Sequence, residues 1–139
     1  MTTSTAHLRI ARPTDDIEAL LPFYCNGLGF KVLLRFKEHD GFDGVMLGPP
    51  GANAAYHLEF TSKAGHTAGK APTQDNLLVF YLPESDVYYA ATLRMKEEGF
   101  EPVASFNPYW DKFGMTFQDA DGYRVVLANL AAPLGRPGA

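Results

Sequence analysis

The stretch "GLGF" at residues 27–30 is answered by "EEGF" at residues 97–100, 70 positions later. Each Gly-Phe falls where a helical pattern gives out, as expected when a glycine carries the chain out of a helix. The same displacement sets Pro13 on Pro83 and Asp16 on Asp86, and lays Leu8, Ile10 and Ile17 on Leu78, Phe80 and Val87. Pro restricts the turn into a helix and Gly the way out, so these are positions where backbone geometry limits the choice of residue. The chain therefore reads as a tandem duplication, each copy in the order β-α-β-β-β.

In the first copy, extended segments are predicted at residues 6–12, 30–37, 44–47 and 55–61. A helix lies between the first two, opened by Asp15 with Glu18 and stopped by Asn26-Gly27 and Gly29, with Pro22 predicted to kink it or remove a backbone bond. "SKAGHTAGKAPTQD", residues 62–75, is polar, Gly-rich and Ala-rich, and reads as a linker or mobile loop. In the second copy "NLLVFYL" is a strand, "ESDVYYAATLRMKEEG" a helix, and "FEPVASF", "FGMTFQ" and "YRVVLANL" three further strands. The expected organisation is a first module at 6–61, the linker, a second module at 76–130 and a frayed tail at 131–139. The fold class is α+β.

With 46% hydrophobic and 20% charged residues the chain is a folded globule rather than a disordered one. A net charge of -4, without a dense Lys/Arg cluster, argues against a nucleic-acid partner. No run approaches the roughly 18 apolar residues that span a bilayer, and the first residues do not resemble a secretory leader, so no membrane partner and a cytoplasmic location are expected. The single Cys25 cannot form an intrachain disulfide, and it reads as a small buried hydrophobe. His39 and His66 read as solvated loop residues.

"YHLEF", residues 56–60, is the stretch that carries chemistry. Alternation places His57 and Glu59 on one face of a strand, and Tyr56, Leu58 and Phe60 on the other. His beside Glu begins a metal site or a general acid/base pair, or it marks the wet face of a sheet.

The two modules, with "GLGF", "EEGF" and above all "NPYWDKFGMTFQDADGYRVVL" at residues 107–127, resemble the vicinal oxygen chelate superfamily of glyoxalase I, bleomycin-resistance proteins and extradiol dioxygenases. "HLRIARP", "DGVMLG", "AAYHLEFT" and "LLVFYLP" are similar, more narrowly, to its YycE-like subgroup. The resemblance implies curved mixed sheets that form a barrel-like cavity holding a small molecule, often in a homodimer. In its metal-dependent members each module supplies one ligand from its first strand and one from its last. Carried over, this gives His7 and Glu59, whose repeat partners are Leu77 and Val126. Two donors fall short of the roughly three that a catalytic divalent ion takes. A divalent metal is thus an alternative, bound through His7 and Glu59, and no cofactor is otherwise expected.

If His7 faces the cavity, period two brings Arg9 with it, and His57, Glu59 and Arg124 complete a polar lining. Arg9 or Arg124 would keep Glu59 ionised, and a surplus guanidinium favours an anionic or hydrogen-bonding ligand. "NPYW" predicts a turn that puts Tyr109 and Trp110 on the pocket wall, with Phe113 or Met115 at its floor. Two function classes follow. One is a small-molecule-binding protein of the bleomycin-resistance kind without the complete metal site; the other is an enzyme, either a divalent-metal lyase, isomerase or dioxygenase, or a metal-free catalyst with Glu59 or His57 as base.

Overall fold

The computed structural model describes residues 6–50 and 56–133. The chain divides into two compact units, residues 1–70 and 71–139.

The first unit is built from β1 (Leu8–Pro13), α1 (Ile17–Leu21), β2 (Lys31–His39), β3 (Phe42–Gly48) and β4 (Tyr56–Lys63). The sheet order is β1-β4-β3-β2, with β1 parallel to β4 and the other neighbours antiparallel. Leu58 and Phe60 of β4 share a face with Val45 and Leu47 of β3, and all four are buried. Ile17, Leu20, Phe23 and Tyr24 are buried with them, and the Tyr24 and Phe60 rings lie 4.9 Å apart. Each such side chain contributes on the order of 1.5–3 kcal/mol by leaving water. The alternation is that of a sheet with one face against a helix.

Pro22 acts as the sequence suggests. It has no N–H to continue the α-helical ladder, and from it the chain winds on as a wider π-helical turn, Pro22–Gly27. The helix opens differently from expectation. Asp16, not Asp15, is the N-cap, its carboxylate accepting from the Ala19 N–H. Asp15 instead accepts from the N–H groups of Ala68 and Gly69, at 2.6 and 3.0 Å, and Glu18 pairs with Arg35 of β2. One residue of phase separates the two aspartates, and composition alone does not resolve it.

The second unit contains β5 (Leu77–Tyr81), α2 (Ser85–Glu97), α3 (Tyr109–Lys112), β6 (Gly114–Gln118) and β7 (Arg124–Ala128), with sheet order β5-β7-β6. The two glycines that announced the repeat both adopt left-handed φ, +85° at Gly29 and +93° at Gly99. The amide of Phe100 then reaches back to Met95 O at 2.9 Å, closing the helix. The equivalent bond in the first unit runs from Phe30 to Tyr24 O, one residue wider because of the π turn.

Two sequence expectations are corrected. "FEPVASF" does not form a strand: only Val103 bridges to Thr116, so this sheet has three strands rather than four. Pro102 lacks a ladder donor, and from Ser105 the backbone turns to bond the Asp111 carboxylate. The sheets are also two separate open ladders, not one closed barrel. The edge strands are β1 and β2 in one and β5 and β6 in the other, with the bridge from Val103 on the outer edge of β6.

Candidate functional site

The register of β1 on β4 sets Arg9 beside His57 and Ala11 beside Glu59, and that of β3 sets Met46 beside Glu59. His57 and Glu59 thus share the face turned away from Leu58 and Phe60, as alternation requires. The Arg9 guanidinium lies 3.4 Å from His57 Nδ1, and the His7 and His57 rings stack with centroids 6.0 Å apart. His7 and Arg9 are exposed while His57 and Glu59 are half-buried. The structure brings His7, Arg9 and His57 together, and Arg9 meets His57 rather than pairing with Glu59.

In the second unit Arg124 is 7% exposed, although it is a cation. Its Nε donates to Gln118 Oε1 and its Nη1 to Ala104 O, both at 3.0 Å. Those bonds fix the plane of the guanidinium, and Nη2 has no partner among the described residues. A narrow cleft of about 10 Å³ opens beside it, lined by Asp75, Leu77, Phe106, Trp110 and Thr116. The wall is held by a polar chain in which Ser105 N and Oγ both donate to Asp111, at 3.1 and 3.0 Å, while the Ser105 and Thr116 hydroxyls meet. Trp110 lines the cleft, and Tyr109, outside the lining, packs against it edge to face at 5.0 Å. Met115 does not belong to the floor. It pairs with Leu127, whereas Thr116 pairs with Val126, so Met115 lies on the face of β6 opposite Arg124.

Sequence reasoning missed Gln118, Ser105 and Asp111. A signal for Gln118 was present, because "QDADGYR" is a tight hairpin whose ends must face each other, and Gln118 does pair with Arg124. The Ala104 carbonyl carried no signal, since any residue supplies one. Cys25 is half-buried, and burial pushes its thiol up from the usual range, which suits a packing role.

The residues do not fit a catalytic divalent ion. No group of three or more His, Cys, Asp or Glu side chains is placed to hold one among the described residues. A guanidinium stands at His57, where it opposes a second cation. The second module adds nothing. With Arg9 aligned on Val79, the ladders set His57 on Val126 and Glu59 on Ala128, two residues on from the match of "YHLEF" to "YRVVL". By either alignment Glu59 falls on an aliphatic side chain, Val126 or Ala128, and His57 falls on Val126 or on the cation Arg124, none of which binds a metal.

Two duplicated modules, each with its first strand parallel to its last and its helix between the first two strands, define a glyoxalase-like fold of the vicinal oxygen chelate class. Glyoxalase I of Leishmania major shares it at a TM-score of 0.67 and 20% identity, over 91% of this chain and 88% of that one. The YycE-like N-terminal domain matches residues 8–61 and the YycE-like C-terminal domain residues 75–129, and the chain belongs to the YycE-like family. The uncharacterized YycE protein of Bacillus subtilis strain 168 is 44% identical over 124 residues, 89% of this chain and 88% of the relative. The crystal structure of a YycE protein of unknown function from Bacillus subtilis superposes at a TM-score of 0.84, covering 95% of each chain at 44% identity. No helix among the described residues is long and apolar enough to cross a membrane.

Proposed function

We propose that this chain binds a small anionic or hydrogen-bonding molecule and does so without a complete metal site. The observation that carries the reading is Arg124, sunk beside an aromatic wall and clamped at Nε and Nη1 so that Nη2 remains for a ligand. A guanidinium already immobilised loses little entropy when it binds, and its planar donors suit a carboxylate or phosphonate. Arg9, His57 and Glu59 form a second polar face within the first module.

The reading includes a cytoplasmic homodimer. Support comes from β2, an edge strand that exposes Val32, Leu33 and Leu34, each about half accessible, where a second copy would pair or pack. Sedimentation at micromolar concentration tests it, and a monomer there removes that part.

The direct test is calorimetry of the protein with fosfomycin and with a set of small carboxylates and phosphonates, with and without zinc or manganese. Metal-independent binding that weakens at least about tenfold in Arg124→Met is expected. Binding unchanged in that variant would remove Arg124 from the site. Binding that requires the metal would restore the metal-dependent enzyme class.

A further inference from the structure

The face of the first sheet that bears His57 and Glu59 continues along β4 to Thr61 and Lys63. Register brings Phe42 of β3 to Lys63, and Pro13 of β1 to Thr61. Around them lies a cavity of about 180 Å³, closed on one side by His66 in the turn that follows β4. That volume exceeds the roughly 150 Å³ that accommodates a benzene ring inside a protein.

The chemistry of the lining is specific. The Lys63 ammonium stands 5.3 Å from the centre of the Phe42 ring, a cation–π distance that holds it over the cavity. No carboxylate of a described residue lies within ion-pair distance of it. The neighbouring Asp15 carboxylate is turned elsewhere, to the N–H groups of Ala68 and Gly69. Phe42 and Pro13 present flat apolar surface, and the Thr61 hydroxyl and the His66 ring stand at the margin.

We propose that this cavity is a binding site for a small aromatic carboxylate, its carboxylate on Lys63 and its ring between Phe42 and Pro13. Neither feature alone makes the assignment. A bare anion leaves the apolar walls uncovered, and a neutral ring leaves the ammonium without a counter-charge. The site lies wholly within the first module and does not rest on the reading of Arg124.

The test is a titration of the full chain with sodium benzoate, followed by amide chemical shifts. Benzyl alcohol serves as the neutral ring and inorganic phosphate as the ringless anion. Saturable shifts at residues 61–66 are expected, with a Kd on the order of 1 mM, and each control weaker by about tenfold. Lys63→Met should weaken benzoate about tenfold and Lys63→Arg should largely retain it, with the rest of the spectrum unchanged in both. Arg124→Met should leave this titration as it is. No saturable shift by about 20 mM overturns the proposal, since a Kd that weak implies little more than random contact. So does a Lys63→Met variant that binds equally well, a set of shifts confined to other residues, or a control that matches benzoate.

Discussion

The two modules repeat one topology but keep their cations in opposite ways. In the first, Arg9 is exposed at the end of an open polar face and touches His57 at the limit of hydrogen-bond distance. In the second, Arg124 is buried and held by two well-formed bonds beside an aromatic cleft. Duplication fixes where strands run, not what their side chains do. The two cations are not repeat equivalents, since Arg9 on the first strand aligns with Val79, so each module carries its cation at a position of its own.

The largest contrast concerns two glycines. A Cβ at Gly114 would meet the Leu127 carbonyl oxygen at 2.4 Å, which is backbone of the central strand β7. A Cβ at Gly44 would meet the Phe36 ring at 2.1 Å, closer, but this is the end of a side chain on edge strand β2. The nearer clash is the cheaper one because a ring can swing aside and a central strand cannot. Gly114→Ala should cost about 3 kcal/mol and Gly44→Ala about 1 kcal/mol in denaturant unfolding. Equal losses would show that the Phe36 ring is as fixed as the backbone of β7.

The second contrast is between the arginines. Arg124→Met leaves the Ala104 carbonyl and the Gln118 amide without their donor, so a loss of about 2 kcal/mol is expected. Arg9→Met removes an exposed cation and should change stability by less than about 0.5 kcal/mol. A comparable loss for Arg9 would mean that the open face is more closely packed than its exposure indicates.

These pairs show which parts of the molecule are legible in sequence. Pro13 with Pro83 and Gly29 with Gly99 gave the duplication because few residues tolerate those backbone geometries. The polar face of "YHLEF" followed from strict alternation. What failed turned on a single residue of phase or on a partner that any residue supplies. Met115 and Thr116 are adjacent yet face opposite ways, and Arg124 finds a main-chain carbonyl at Ala104. "FEPVASF" has the apolar residues of a strand, and Pro102, which withholds a donor, was the legible sign against it, whereas the bond by which Asp111 draws Ser105 from the ladder left no sign.

Helix starts give the third contrast. Asp16 caps α1, whereas α2 begins after Glu84 with no side-chain cap. Asp16→Ala should therefore cost about 1 kcal/mol, and Glu84→Ala close to nothing. A thermal-unfolding series of the two variants measures this. A loss at Glu84 equal to that at Asp16 would mean that α2 depends on an interaction other than a cap.

The smallest effect separates Asp15 from Ser85, which the 70-residue shift places opposite it. Ser85 donates to Asn129 Oδ1 at 3.3 Å, a bond between neutral groups that does not titrate. Asp15 accepts from the Ala68 and Gly69 N–H groups, which hold its carboxyl below the ordinary range. A lowered folded-state pKa means that this tie is fully present above the unfolded value of about 3.9 and is lost as pH falls through the lowered folded value. The amide shifts of Ala68 and Gly69 should titrate in that acidic window, and their hydrogen exchange should lose protection there. Asp15→Asn should abolish the titration while leaving β4 intact, because Asn accepts more weakly and carries no charge to lose. If the two amides titrate unchanged in that variant, another group controls the turn, and the first module's pH dependence does not arise at Asp15.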